Sequence, residues 1–260
     1  MASTEFSLES GIATICFNRP QVLNALDVAS AQEFLAACEQ IARHSGPDGV
    51  RVVVIRGSGR GFMAGGDLSV MQDDPQGGAS ALIEPMHRGL SLLAEQPAPV
   101  LASLQGAVAG AGLSLALGAD LAIAAEDAVF NLAYSKVGAS CDLGGSWALP
   151  RVVGLRRAME ISLLSDPVNA LQALDWGLVN RVVPAAELDV QTRALALRLA
   201  NGPTAAYGRM RQLMRTSLDH GYAEQLDAER DAFLAGTTTN DFREGVAAFL
   251  GRRKPAFRGN

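Results

Sequence analysis

Arg51-Val52-Val53-Val54-Ile55-Arg56-Gly57, followed by Gly61-Phe62-Met63-Ala64-Gly65-Gly66-Asp67-Leu68, is the stretch from which the fold is read. A second passage repeats the arrangement: Val100-Leu101-Ala102-Ser103-Leu104-Gln105-Gly106, then Ala109-Gly110-Ala111-Gly112 running into Leu113-Ser114-Leu115-Ala116-Leu117. Each apolar run has the length of a buried strand, and each glycine turn stands where a strand hands over to a helix. Small residues there let the backbone approach a ligand closely and aim its N–H groups at developing negative charge. Neither turn carries a nucleophile. Two such turns facing one another would hold a carbonyl oxygen that becomes an oxyanion.

The flanking chain continues the alternation. Ile12 to Phe17 reads as a strand ended by Asn18-Arg19-Pro20, and Asp27 reads as the N-cap of a helix through Gln32, Leu35, Cys38 and Ile41. Gly46-Pro47-Asp48-Gly49 breaks that helix before a strand from Val50 to Ile55. Asp73 to Ser80, polar and glycine-containing, is predicted to be a mobile loop, with a helix from there to about Glu95. Further strands are predicted at Val100 to Leu104, Leu121 to Ala124, Ala128 to Leu132 and Leu178 to Val183. Short helices are predicted at Ala158 to Leu164 and Ala170 to Trp176, and from Ala185 onward the chain reads as helical with breaks at Gly202-Pro203, Gly221 and Gly236 to Asn240. The expected class is α/β, with a core over residues 1–195 and a helical region over 196–260. That tail is amphipathic, with Tyr207, Met210, Leu213 and Met214 at helical spacing and again Phe242, Val246, Phe249 and Leu250. It holds little core of its own, so it must pack on the main domain or on another subunit.

Composition narrows the function classes. The 260 residues are 48% hydrophobic and 19% charged, ordinary for a globular protein, and the net charge of −5 offers no basic footprint for nucleic acid. Cys16, Cys38 and Cys141 are scattered, fitting neither a disulfide framework nor a zinc site, so a reducing compartment is expected. The start, Met1-Ala2-Ser3-Thr4-Glu5-Phe6, lacks a basic patch followed by an apolar stretch, which argues against secretion. Ala98 to Ala119 carries no charge and is long enough to span a bilayer, yet its Ala, Gly and Ser content fits a strand, a turn and a buried helix better. A soluble, cytoplasmic protein without membrane contact is expected.

Several familiar chemistries fail on detail. Gly57-Ser58-Gly59-Arg60-Gly61 misses the dinucleotide fingerprint because Phe62 stands in place of the third glycine. Gly112-Leu113-Ser114-Leu115-Ala116 misses the nucleophile elbow because Ala116 replaces a glycine. His44, His87 and His220 are the only histidines, and no dense ligand cluster suggests a metal.

Taken singly, each glycine turn is better explained by tight packing at a sheet corner. Together with Asn18-Arg19-Pro20, Asn24-Ala25-Leu26, Tyr134-Ser135-Lys136-Val137-Gly138, Gly144-Gly145-Ser146 and Leu149-Pro150-Arg151, they resemble the enoyl-CoA hydratase/isomerase (crotonase) family. The ending Glu244-Gly245-Val246-Ala247-Ala248-Phe249-Leu250 with Arg252-Arg253-Lys254-Pro255 extends the resemblance over nearly the whole chain.

The resemblance implies a crotonase-like ββα spiral core, a C-terminal helical trimerisation region, a homotrimer or hexamer, and an acyl-CoA thioester as substrate. It places the two oxyanion-hole N–H groups on Gly66 and Ala111 and needs no metal or redox cofactor, since coenzyme A arrives as part of the thioester. The two glutamates of typical hydratases fall on Ser114 and Tyr134, neither of which is an acid or base near neutral pH. Asp142 stands where isomerases of the family carry a lone carboxylate that moves a proton from C2 to C4, although capping of a helix near Gly145 would also explain it. The spacing of His87 to the Gly110 turn and to Asp142 resembles the aryl-CoA dehalogenase branch, where the Asp is a nucleophile and the His helps to activate water. By resemblance Ala25, Leu26, Ala64, Asp67 and Leu68 line the adenine and pantetheine path, and Arg19 with Arg253 or Lys254 of a neighbouring subunit meets the phosphates.

The leading expectation is therefore 3-enoyl to 2-enoyl-CoA isomerisation by Asp142. A hydratase in which Ser114 or Tyr134 orients water, a dehalogenase or hydrolase using Asp142 and His87, and a non-catalytic acyl-CoA-binding trimer remain as alternatives. Acyl preference is expected to depend on the segment from Asp73 to Ser80.

Overall fold

The computed structural model describes residues 2–46 and 49–260. The Pro47-Asp48 centre of the expected helix-breaking turn lies outside them. Among the described residues the main sheet has six strands in the order β1-β2-β3-β4-β6-β9: β1 Thr4–Glu9, β2 Ile12–Phe17, β3 Val52–Gly57, β4 Val100–Leu104, β6 Leu121–Ala125 and β9 Arg181–Val183. β1 and β2 are antiparallel, joined through Ser10 and Gly11, both of which adopt positive φ as a tight hairpin requires. The other neighbours are parallel.

A parallel sheet must be covered on both faces, and the apolar runs show how. Along β3, Val53 and Ile55 enter the main core, whereas Val52 and Val54 turn to a second cluster with Leu101 of β4. α1 (Val28–Arg43) and α2 (Pro75–Glu95) pack together, with Phe34, Ile41 and Met86 buried in the main core. On the other face Ala196 and Ala200 of α7 (Leu188–Ala200) pack on Val52, Val54 and Leu101. The boundary expected at residue 195 thus falls inside a helix that covers the sheet. The remaining helices of the tail are α8 Thr204–Thr216, α9 Tyr222–Thr237 and α10 Asn240–Leu250. α8 is fastened to the core where Arg211 and Arg215 grip Asp120 at 2.6 and 2.8 Å.

A second, smaller sheet runs β5-β7-β8, from Ala107–Ala109, Val129–Asn131 and Val168–Asn169, and Met63 extends it by bridging to Val108. The chain is therefore a spiral. Each turn supplies one strand to the large sheet (β3, β4, β6), then a short extended piece to the small one (Met63, β5, β7), then a helix or helical turn. The helix after β5 is the fully buried α3, Ala111–Leu117. A 3-10 turn over Tyr134–Val137 follows β7, ahead of α4 (Gly145–Val153) and α5 (Leu155–Leu164). α6 (Ala170–Asp175) opens on a capping box in which Asn169 and Gln172 exchange hydrogen bonds.

One expectation is corrected. Asp73 to Ser80 is not a loop from end to end: helix α2 begins at Pro75, with the Asp74 carboxylate accepting the Gly77 N–H at 3.0 Å. A capping aspartate followed by proline at the first helical position outweighs two glycines in the first turns. The tail also departs from an unbroken helical reading after Leu250, where residues 251–260 are non-helical and fold back so that Asp241 accepts the N–H groups of Arg258 and Gly259, each at 2.7 Å.

Candidate active site

The spiral stacks three equivalent corners side by side. At the end of each short extended piece the backbone takes positive φ, at Gly65 (+111°), Gly110 (+53°) and Ala133 (+58°), and the next residues are Gly66, Ala111 and Tyr134. Gly65 and Gly110 face one another so closely that a Cβ on Gly110 would lie 3.3 Å from the Gly65 Cα. The Leu26 strand-like segment fixes one side of the first corner, donating its N–H to Gly65 O at 2.8 Å and accepting the Asp67 N–H at 2.9 Å. These bonds flank Gly66 and leave its own N–H unused. Ala111 is the first residue of α3, where an N–H has no intrahelical partner. Among the described residues no acceptor takes either N–H.

Both donors line a cavity of about 550 Å³. Its walls include Leu26, Ala64, Leu68 and Tyr134, as expected, and Asp142 is the one carboxylate among the described residues that lines it. Apolar residues that the sequence reading did not single out complete it: Met71, Ala79, Leu82, Ile83 and Val137. Ala79, Leu82 and Ile83 come from the first half of α2, where helical spacing puts them on one side.

Asp142 is held by a polar chain. Ser114 Oγ lies 3.2 Å from the Tyr134 hydroxyl, which in turn donates to Asp142 Oδ1. Ser114 is 0% exposed, so it reaches the cavity only through Tyr134. Burial, then the adjoining Asp142 carboxylate, push the Tyr134 hydroxyl up from the ordinary tyrosine range, so it stays a donor. The capping alternative for Asp142 is overturned. α4 starts after Gly144 with no side-chain cap, and the Asp142 carboxylate turns to Tyr134 instead.

Other expected residues lie outside the cavity wall. The Arg19 guanidinium pairs with Asp27 and Asp67, at 3.2 Å each, and bonds Ala25 O. It therefore ties down the segment that carries Leu26 and is already neutralised, unlike a free phosphate contact. Asp67 caps the turn Leu68–Met71, its carboxyl held below the usual carboxylate range mainly by Ser69 and also by Arg19. Ala25 and Asp67 thus buttress the corner at Gly66 and are not among the residues lining the cavity. His87 stands behind Asp142: its Nε2 accepts the Leu143 N–H at 3.3 Å, and it lines a different cavity. Lys254 is exposed in the C-terminal tail, while Arg253 is paired with Glu244. Among the described residues no three His, Cys, Asp or Glu side chains gather as a metal-ligand set, and no helix is long and apolar enough to cross a membrane.

A spiral of paired strands, with two free N–H groups and a lone carboxylate lining one largely apolar cavity, suits an enzyme that stabilises developing negative charge on an oxygen. The chain belongs to the enoyl-CoA hydratase/isomerase (crotonase) family, whose model matches residues 7–260. It is 39% identical over 256 residues to the 1,2-epoxyphenylacetyl-CoA isomerase of Escherichia coli K12, covering 97% of each chain. It is 34% identical over 250 residues to a 4-chlorobenzoyl coenzyme A dehalogenase of an Arthrobacter species, covering 92% of this chain and 87% of that one. The crystal structure of an enoyl-CoA hydratase from Polaromonas sp. JS666 superimposes with a TM-score of 0.90 at 33% identity, covering 98% of this chain and 99% of the other. Relatives named for three different reactions are similar to this chain over most of its length, so the reaction must be argued from the site.

Proposed function

We propose that the enzyme moves a carbon–carbon double bond of an acyl-CoA thioester from the 3- to the 2-position, through a dienolate, with Asp142 as its one acid/base. The observation that carries this is the single carboxylate in the cavity that also holds the free Gly66 and Ala111 N–H groups. Asp142 takes the C2 proton, and the electron pair of that C–H bond delocalises onto the thioester oxygen and C4. The two N–H groups stabilise the oxyanion, each by about 3 kcal/mol. The same carboxyl group returns the proton at C4, so no water is added and no metal or redox cofactor is required. Tyr134 occupies Oδ1, which leaves Oδ2 to carry the proton.

Hydration asks for a second acid/base beside the first. The two positions available, Ser114 and Tyr134, hold hydroxyls that bond each other and Asp142. Aryl dehalogenation asks His87 to reach water in the cavity, whereas its Nε2 is engaged by the Leu143 backbone from the other side. The similarity to a 1,2-epoxyphenylacetyl-CoA isomerase supports isomerisation of a CoA thioester as the reaction class, though its named substrate is an epoxide. The enzyme is also taken to be a homotrimer or a hexamer, because α9 and α10 expose Tyr222, Phe233, Phe249 and Leu250.

The test is a mass-resolved assay with 3-enoyl-CoA and 2-enoyl-CoA in deuterated water, wild type beside Asp142→Asn. Conversion of 3-enoyl to 2-enoyl without gain of water, with kcat at least about a thousandfold lower in the variant, is expected. A product heavier by one water would make the enzyme a hydratase. No conversion of either substrate would sink both readings and leave binding or aryl-CoA chemistry.

A further inference from the structure

Behind the back wall of the site lies a second cavity, of about 450 Å³. It is lined chiefly by apolar side chains, among them Leu90 and Leu93 of α2, Leu115 of α3, and Trp147 and Ala148 of α4. Leu143 lines both this cavity and the one that contains Gly66, Ala111 and Asp142, and no other described residue lines both. On either side of it in the chain, Asp142 lines only the front cavity and Gly144 only the rear one. The partition is thus one residue thick.

Leu143 is an unusual residue to find there. Its φ is +49°, the left-handed region that favours glycine, and it sits in a segment that also contains Gly138, Gly144 and Gly145. A leucine held in that conformation, 3% exposed, is a costly choice unless its side chain serves a purpose. The backbone around it is pinned from behind by His87, whose Nε2 accepts the Leu143 N–H at 3.3 Å. As the one described residue that lines both cavities, Leu143 places its isobutyl group between them, with Asp142 on the front side and His87 behind.

We propose that Leu143 is the specificity-determining wall of the acyl site: it restricts the enzyme to acyl groups that end in the front cavity, and the rear cavity is the compartment a longer tail would enter if the wall were removed. The proposal rests on the acyl-CoA reading of the site and is independent of which reaction follows. Its test therefore measures binding alone, by calorimetry with unreactive S-alkyl-CoA thioethers from butyl to hexadecyl. Each methylene that enters an apolar cavity tightens binding about fourfold. For the wild type the tightening should stop at an intermediate length. Leu143→Gly, which removes the side chain and suits the positive φ, should carry it on for several more methylenes. Adding Leu90→Trp to fill the rear cavity should bring the stop back. A wild-type series that tightens without a stop, or the same stop in wild type and Leu143→Gly, overturns the proposal. So does loss of butyl-CoA binding in both Leu143→Gly and Leu143→Ala, which would make the side chain a structural support. Failure of the isomerase assay would leave these binding results untouched.

Discussion

At the scale of single residues, the site depends on which polar atoms are engaged and which are free. Tyr134 marks the division, because its hydroxyl receives Ser114 on one side and donates to Asp142 on the other. Removing that donor with Tyr134→Phe deletes a hydrogen bond to a carboxylate, worth about 2 kcal/mol, or about thirtyfold in kcat if Asp142 must be held in one rotamer. KM should change little; an unchanged kcat would show that Asp142 is positioned by something else. The hydroxyl's raised pKa gives a second check. An unfolded tyrosine releases its proton near pH 10, while burial and the Asp142 carboxylate keep it on Tyr134 in the folded chain. Its contribution to stability is therefore whole below pH 10 and declines as the pH rises beyond that value. The absorbance titration of native wild type minus Tyr134→Phe should stay flat through pH 10; a phenolate signal there would mean the hydroxyl is open to water. Gly66, Ala111, Tyr134 and Asp142, to which the family resemblance pointed, line one cavity in the structure. The role of Arg19 was not legible in the sequence. The carboxylate of Asp67 that engages it lies 48 positions along the chain, and sequence alone cannot reveal such a partner.

Among the elements, the five- and six-residue strands β2 and β4 were readable, since β4 is a mostly apolar run buried throughout and β2 alternates between buried and half-buried positions, both with clear ends. Of the short strands, β7 and β9 fell within predicted ones, but β5 and β8 were lost. β5 and β8 span three and two residues and exist because the spiral lays them beside β7, a tertiary cause with no local signal. β1 was missed although Phe6 and Leu8 alternate with polar neighbours, the pattern of a half-exposed edge strand. The start of α2 shows two local rules in competition. Gly77 and Gly78 suggest a loop, but Gly78 sits where a Cβ would come within 2.3 Å of Val70 O, so a glycine there serves packing of the helix on the preceding turn. The Asp74 cap then decides the outcome. Asp74→Ala should cost about 1 kcal/mol and speed amide exchange at Gly77, whose N–H the carboxylate accepts. Because Ala79, Leu82 and Ile83 line the cavity from this helix, KM for the acyl-CoA should rise with it. Unchanged exchange at Gly77 would mean that Pro75 and the packing hold the turn without the cap.

For the whole molecule the question is what completes a site that one chain leaves open. Phe249 and Tyr222 are 83% and 81% exposed on α10 and α9, where Phe233 and Leu250 are exposed as well, apolar side chains that a second copy would cover. The tail that carries Lys254 folds back along α10, leaving Lys254 itself exposed. The phosphates of coenzyme A need a cation, yet Arg19 is neutralised by Asp27 and Asp67, and Arg253 by Glu244. Lys254 is exposed and has no acidic partner among the described residues, so the phosphate role that the family resemblance implies for it, from a neighbouring copy, is open to test. Two measurements should therefore move together. Sedimentation should show a multiple of 27.2 kDa, three copies or six, and Phe249→Asp should reduce it. Lys254→Ala should leave the assembly intact but raise KM for a coenzyme A ester about fivefold at low salt, the size of one exposed ion pair, with the difference fading as salt is added. The N-acetylcysteamine thioester of the same acyl group carries no phosphate, so its KM should be the same in both proteins. An equal rise for both thioesters would place the effect of Lys254 on the acyl site or the fold, and a phosphate role for the tail would have to be given up. A monomer that retains full affinity for the coenzyme A ester would likewise show that the phosphates are met within one chain.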